Sequence, residues 1–171
     1  AYFTGDFDWA HAQLNVLKAS TSKLIANDAF ELAELIDANT EDSTFTALQI
    51  FARADLLTWQ QKDSLALLTL DSLHQQYPNH SLTDEVWYKK AQVYKKHQQY
   101  QAYEKALKKV IEAYSYDIYG DNALFELATL YEKQYQQKER AMELYKQLLT
   151  DFPGSIFVAE SRKRFRSLRG D

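Results

Sequence analysis

Cysteine is absent from the 171 residues of the chain. The protein therefore has no disulfide bond, no thiolate nucleophile and no cysteine-ligated metal centre. Its four histidines lie at His11, His74, His80 and His97. None of them has a partner at the spacing that metal binding or base catalysis requires, and no HExxH motif, phosphate loop or nucleophile elbow is present. We therefore expect no cofactor, no metal and no enzymatic activity.

Residues that form turns are also scarce, with only 4 glycines and 2 prolines in the chain. Leu, Ala, Glu, Lys and Gln, which favour helices, are plentiful. Hydrophobic residues make up 46% of the chain and charged residues 26%, a balance typical of a folded protein with a sizeable core. This composition predicts an all-α fold.

Long apolar runs are missing as well, since none approaches the roughly 18 residues that cross a bilayer. The opening AYFTGDFDWA has neither a basic nor a hydrophobic signal segment, and it lacks an initiator Met. We therefore expect the chain to be a fragment, or a processed product, of a longer protein. Its net charge of -4 argues against general nucleic-acid binding.

What the chain does contain is a repeat. The segment YPNHSLTDEVWYKKAQVY, from Tyr77, aligns with YSYDIYGDNALFELATLY, from Tyr114, at a constant offset of 37 residues. The next offset, from Tyr114 to Phe152, is 38 residues, and an earlier copy lies 37 residues before Ala91 at Ala54. Within each copy, apolar residues recur at helical spacing in two groups, which predicts a helical hairpin.

The third copy has Leu124, Ala128, Tyr131, Ala141, Tyr145, Leu148 and Pro153 at set positions. The first copy has Ile50, Ala54, Leu57, Ala66, Leu70, Leu73 and Pro78 at the same positions. This pattern resembles the tetratricopeptide repeat, which implies a right-handed α-solenoid of stacked antiparallel helical hairpins. The residues that the resemblance assigns to packing within and between repeats are Ala54, Leu57, Ala66, Pro78, Trp87, Ala91, Tyr94, Ala128, Tyr131, Ala141, Tyr145 and Pro153. The second copy departs from the pattern, with Tyr103 where a small residue is expected and Ser115 in place of proline.

These repeats divide the chain into five consecutive segments. The first, 1–46, holds partial N-terminal repeat helices, and Gly5 to Phe7 resembles the turn before a second helix. Three repeats follow at 47–83, 84–120 and 121–158, and 159–171 forms a C-terminal capping helix and tail. We expect one continuous solenoid, because a single hairpin cannot bury its apolar face alone.

The turns YPNHSLTDE and FPGSIFVAE are also similar to those of bacterial envelope repeat proteins, such as outer-membrane assembly lipoproteins and the Tol-Pal coordinator. The segment GDFDWAHAQLNVLKASTSKLIANDA and the end RFRSLRGD look like the C-terminal part of large repeat proteins of Bacteroidota-type bacteria. This resemblance implies a bacterial protein with a scaffolding role, and it favours the periplasm or the outer membrane over the cytoplasm.

The resemblance further implies a groove lined by the first helix of each hairpin. The Lys and Asn of a carboxylate clamp are absent from the matching positions. The groove candidates for binding a peptide are instead Phe51, Asp55, Tyr88, Gln92, Lys95, Phe125 and Thr129. The aromatic residues among them, Phe51, Tyr88 and Phe125, either form an exposed ladder for a bound segment or pack between neighbouring hairpins.

A basic segment, RKRFRSLRGD, ends the chain. It either meets an acidic partner, an anionic lipid surface or nucleic acid, or it is the charged last turn of a capping helix, where cations are favourable.

Two functions from different classes remain. The chain is either an interaction scaffold that binds a peptide or protein segment in its groove, or a structural segment that stacks on other repeats or on a second copy of itself. The structural alternative predicts an open apolar face around Phe3, Phe7, Trp9 and Leu14.

Overall fold

The computed structural model describes residues 1–19, 23–38, 45–114 and 118–171, and the regular structure in these ranges is helical throughout. A short 3-10 turn, Tyr2–Thr4, opens the chain. The α-helices that follow are α1 (Phe7–Lys18), α2 (Lys23–Ala38), α3 (Thr46–Trp59), α4 (Asp63–Gln76), α5 (Thr83–Lys96), α6 (Tyr100–Tyr114), α7 (Gly120–Lys133), α8 (Lys138–Asp151) and α9 (Val158–Arg169). The prediction of an all-α fold is confirmed.

These helices form two compact units, Ala1–Thr83 and Asp84–Asp171. In the first unit α1 packs on α2, and α3 packs on α4. In the second unit α6 packs on α7, α7 on α8 and α8 on α9. Packing between helices that follow one another in the chain, as in these pairs, is typical of a helical repeat, in which short turns join antiparallel helices.

Three of the helical hairpins close through a residue with a left-handed backbone in a turn that the structure describes. These residues are Gln61 (φ 62°), Gln98 (φ 56°) and Gln136 (φ 55°), which lie in the α3–α4, α5–α6 and α7–α8 turns. Gly5 (φ 80°) takes the same position before α1, five residues ahead of Ala10, as Gln61 precedes Ala66. The turn predicted from Gly5 to Phe7 is therefore the hairpin turn of the repeat, and a Cβ at Gly5 would come within 3.1 Å of the side chain of Gln49.

The boundary between successive hairpins is also the same in two copies. Tyr77 (φ -132°, ψ 63°) ends α4, and Phe152 (φ -127°, ψ 60°) ends α8. Pro78 and Pro153 follow directly, and a proline disfavours helical geometry in the residue before it. The prolines thus end the second helix of their hairpins, and both are exposed. Ser115, the residue at this position in the second copy, lies outside the described residues.

The small residues of the repeat lie at the centre of the packing. Ala54, Ala66, Ala91, Ala128 and Ala141 have no exposed surface. Their small size lets neighbouring helices approach closely. Tyr145 and Tyr131 are buried, whereas Leu57, Trp87 and Tyr94 are partly buried.

One residue expected on an open N-terminal face is buried instead. Phe7 is almost completely covered, because its ring packs against those of Tyr2 and Phe45 at centroid distances of 5.9 and 5.6 Å. Phe3 and Trp9 are exposed, and Leu14 is partly covered. The open face predicted for α1 therefore excludes Phe7.

Candidate functional site

In the first unit, the two predicted groove residues make internal contacts. Phe51 is only 3% exposed. The carboxylate of Asp55 accepts a hydrogen bond of 2.8 Å from the hydroxyl of Tyr2, which lies in the 3-10 turn beside α3. The ring of Phe51 thus belongs to the core and is not an exposed rung of a ladder.

In the second unit, the predicted groove residues of α5 converge on one carboxylate of α7. Glu126 accepts hydrogen bonds from the hydroxyl of Tyr88 (2.8 Å), from Nε2 of Gln92 (3.1 and 3.2 Å) and from Nζ of Lys95 (3.1 Å). The hydroxyl of Tyr103 in α6 donates to the same carboxylate. We call these five residues the Glu126 cluster. Because all the donors lie on α5 and α6, the cluster ties one hairpin to the first helix of the next.

The electrostatics of the Glu126 cluster follow from its burial. The side chain of Glu126 is 14% exposed, whereas that of Lys95 is 52% exposed. Burial raises the pKa of Tyr88 and of Tyr103 far above 10.0, and the negative charge of Glu126 raises both further. Ionising either phenol would place a second negative charge beside the carboxylate. Both tyrosines therefore remain hydrogen-bond donors at physiological pH.

The aromatic groove candidates of α5 and α7 each stack on an aromatic residue that directly precedes the first helix of the following repeat. The ring of Tyr88 lies 4.3 Å from that of Tyr119 at an interplanar angle of 12°. One repeat later, the ring of Phe125 lies 4.6 Å from that of Phe157 at 13°. The two pairs occupy equivalent positions in successive repeats, so the aromatic stripe packs between hairpins in this unit, with one edge of each ring partly exposed.

An ion pair recurs at equivalent positions with its charges exchanged. Lys95 of α5 pairs with Glu126 of α7, whereas Glu132 of α7 pairs with Arg164 of α9 at 3.2 Å. Lys95 and Glu132 are equivalent residues of successive first helices, and so are Glu126 and Arg164. The cation thus lies on the earlier helix in one copy and on the later helix in the next.

A tyrosine completes the second of these contacts. The hydroxyl of Tyr145 donates a 2.6 Å hydrogen bond to Glu132 and lies 3.3 Å from the hydroxyl of Thr129. Burial raises the pKa of Tyr145 well above its ordinary value, and the hydrogen bond to Glu132 adds to the effect. Thr129, a predicted groove residue, also donates to the carbonyl of Phe125.

A third carboxylate lies on α6. Glu104 accepts a 2.7 Å hydrogen bond from the hydroxyl of Tyr131 and pairs with Lys108 at 2.7 Å. Burial acts to raise the pKa of Glu104, but the hydrogen bonds from Lys108 and Tyr131 outweigh it, and the pKa lies below 4.5. Like Glu126, this carboxylate connects two helices.

A pocket of about 350 Å³ opens beside the Glu126 cluster, and we call it the α5–α7 pocket. Its apolar wall includes Tyr100, Phe125 and Leu130. The remaining lining residues are Lys95, Lys96, Gln98, Tyr103, Glu126, Thr129, Lys133 and Gln134. Three predicted groove residues, Lys95, Phe125 and Thr129, thus line one pocket, whereas Tyr88 and Gln92 contact Glu126 behind it.

A second pocket of the same unit, of about 400 Å³, is formed by α5 and α6. It is lined by Trp87 and Tyr94, which the repeat pattern assigns to packing, together with alanines and lysines of α6. The two residues are therefore partly covered by their own hairpin.

The basic residues of α9 have different surroundings. Arg164 points to Glu132, and the guanidinium of Arg169 pairs with Asp171. Arg162, Lys163 and Arg166 are exposed along one face of the helix. Part of the basic segment thus serves packing at the end of this unit, and part faces solvent.

Within the described residues, no group of three or more His, Asp or Glu side chains is placed to hold a metal ion. No helix in the described part of the chain is long and apolar enough to cross a membrane. The imidazole of His11 contacts the carboxylate of Asp37 at 3.1 Å, an exposed contact between α1 and α2.

The sequence alone did not identify Glu126, Tyr103 and Glu132 as residues whose side chains connect neighbouring helices. Tyr103 stands out in the sequence only as a departure from the small residue that the repeat expects. Its hydroxyl reaches Glu126 on the next hairpin, which explains why a large polar ring occupies this position. An acid in the middle of an apolar helix face, as in LFELATLY, is the signal that points to Glu126.

The stacked hairpins, the recurrent left-handed turns and the contacts repeated between successive helices define an α-helical repeat protein. Comparison with known families gives the particular class. Residues 85–115 and 122–155 match the family model described as Tetratricopeptide repeat. The two matched segments are therefore tetratricopeptide repeats, as predicted. Proteins of this family generally mediate protein–protein interactions and are typically scaffolds without catalytic activity. No curated protein matches the chain.

Proposed function

We propose that this protein is an interaction scaffold that binds a peptide or protein segment in the α5–α7 pocket. The observation that carries this proposal is the pocket itself, because three of the predicted groove residues line it. An apolar wall with polar groups at its edge is the usual composition of a binding site. Its volume of about 350 Å³ is at the small end for ligand sites, which suits one or two side chains of an extended segment.

Two features of the second unit favour a binding role for the α5–α7 pocket over a purely structural role. The Glu126 cluster and the Phe125–Phe157 stack fix the walls of the pocket before any partner arrives. A preformed site loses less conformational entropy on binding than a mobile one. Gln98, Lys133 and Gln134 at the edge are exposed and so accessible to a partner.

A display library of random short peptides, selected on the intact chain, tests this proposal. Gln134→Trp places a bulky ring at the mouth of the pocket without removing a buried contact. We expect it to weaken binding of the selected peptides by at least about tenfold, or roughly 1.4 kcal/mol. Gln147→Trp, at an exposed position of α8 outside the pocket, is the matched control and should leave their affinity unchanged. Selected peptides that bind both variants equally well would contradict the proposal.

A second candidate function is self-association through α1. Trp9 and Val16 are 56% and 70% exposed on this helix, and Leu17 is exposed beside them. We propose that a second copy of the chain covers these residues. Light scattering should then give a dimer mass that falls to the monomer mass in Trp9→Lys/Val16→Lys. A monomer at all concentrations would exclude this candidate.

A further inference from the structure

The α5–α7 pocket carries a charge opposite to that of the whole chain. The chain has a net charge of -4. The pocket, in contrast, is lined by the three lysines Lys95, Lys96 and Lys133 and by a single carboxylate, Glu126. A local field of this sign attracts a negatively charged partner and raises its rate of association.

The carboxylate of Glu126 offsets only one of these three positive charges. Both of its oxygens accept hydrogen bonds from the donors of the Glu126 cluster, and its side chain is largely covered. Lys95 gives one hydrogen bond to Glu126, and an ammonium group has three to donate. Its side chain is half exposed, so the remaining donors can meet an incoming acceptor.

The apolar wall adds a second requirement. Tyr100, Phe125 and Leu130 line the same pocket as the lysines, and the side chains of Tyr100 and Phe125 are only partly covered. An aromatic or aliphatic side chain that covers them gains apolar burial. A ligand that offers charge alone would leave this wall exposed to water.

On the basis of the proposed function of this pocket, we propose that the bound segment is acidic. It carries an aromatic or aliphatic side chain that packs on Phe125 and Tyr100, flanked by Asp or Glu side chains that meet Lys95, Lys96 and Lys133. Because the Lys and Asn of a carboxylate clamp are absent, recognition uses side-chain carboxylates and does not need a free C-terminus.

Peptides selected from the random display library on the intact chain provide the probe, with binding measured by fluorescence anisotropy. We expect the peptides that Gln134→Trp blocks to be enriched in Asp and Glu next to Phe, Tyr, Trp or Leu. Lys96→Gln/Lys133→Gln should weaken their binding by about three- to tenfold, since each exposed ion pair contributes modestly. Raising the salt concentration should weaken binding further, because it screens these pairs. An amidated C-terminus should have no effect.

Arg162→Gln/Lys163→Gln on α9 removes the same charge outside the pocket and should leave the affinity unchanged. The outcomes separate the two proposals. The peptides that Gln134→Trp blocks could lack acidic residues, or their affinity could be unchanged by Lys96→Gln/Lys133→Gln. Either result would show that the proposal of an acidic partner is wrong, while the proposal of a binding function would stand. The same holds if binding requires a free C-terminus. If no selected peptide responds to Gln134→Trp, the binding function itself is wrong.

Discussion

Replacement of Glu126 by alanine should destabilise the second unit more than any exposed substitution, because it removes the acceptor of the Glu126 cluster. The hydroxyls of Tyr88 and Tyr103 are partly buried and would lose their common acceptor. A buried donor without a partner costs about 1–3 kcal/mol. The exposed ammonium of Lys95 adds less than about 1 kcal/mol.

Together, the two hydroxyl donors and Lys95 predict that Glu126→Ala lowers the free energy of unfolding by about 3–5 kcal/mol. The melting temperature should fall by roughly 10 °C, since 1 kcal/mol corresponds to about 2–4 °C in a chain of this size. Glu126→Gln keeps an acceptor but loses the charge, and should cost about half as much, because charge-assisted hydrogen bonds are roughly twice as strong as neutral ones.

Urea unfolding followed by circular dichroism measures the free energy, and hydrogen exchange shows whether the loss falls in α5 to α7. Glu143→Ala is the matched control, because Glu143 is an exposed residue within α8. It should change stability by less than about 0.5 kcal/mol. A double-mutant cycle of Glu126→Gln and Tyr103→Phe should give a coupling of at least about 0.5 kcal/mol. If Glu126→Ala costs no more than Glu143→Ala, the reasoning from the Glu126 cluster is refuted.

Three further predictions concern pH and the hairpin turns. The pKa of Glu104 is lower in the folded chain than in the unfolded chain, so its stabilisation is present above about pH 4.5 and is lost as the pH falls through the folded pKa. The difference in unfolding free energy between the native chain and Glu104→Gln should therefore shrink as the pH falls below 4.5, and a constant difference would contradict this sign. The pKa values of Tyr88 and Tyr103 are raised, so their stabilisation is complete below pH 10 and is lost as the pH rises above it. An absorbance titration measures how much tyrosinate forms before the chain unfolds in alkali, and this amount should be the same in the native chain and in Tyr88→Phe/Tyr103→Phe. A smaller amount in the variant would show that these phenols ionise in the folded state. Gln136→Gly should stabilise the chain by about 0.5 kcal/mol, because a left-handed residue with a side chain is strained. Lys146→Gly, at an exposed position inside α8, should destabilise it by about 0.5–1 kcal/mol, and the same sign in both variants would exclude backbone strain as the cause.

The fold was predictable because the copies recur at a nearly constant offset and have small residues at matching positions. Ala91 and Ala128 lie at matching positions of α5 and α7, and the helical spacing around them predicts one buried face for each helix. The turn beginning at Gly5 was predictable for the same reason. Local patterns that recur at a fixed period predict architecture well, since each repeat contacts mainly its neighbours.

The contacts of the site were less predictable. The sequence places Tyr88, Gln92 and Lys95 on one face of α5, but it does not show which residue of α7 they reach. That depends on how two helices cross, and a small change in the crossing would exchange Glu126 for another side chain. For the same reason, the pattern left open whether Phe51 and Phe125 are exposed or packed. A side chain at the same register is buried in one repeat and lines a pocket in the other.

The exchange of charges between Lys95–Glu126 and Glu132–Arg164 restricts the order in which the repeats can follow one another. If α9 followed α5 directly, Lys95 would face Arg164, and the hydroxyls of Tyr88 and Tyr103 would meet a cation that cannot accept a hydrogen bond. If a copy of α7 followed α7, Glu132 would face a second Glu126. The repeats of this unit are thus alike in shape but cannot be interchanged. A chain with its repeats shuffled would keep its helices and lose the contacts between them.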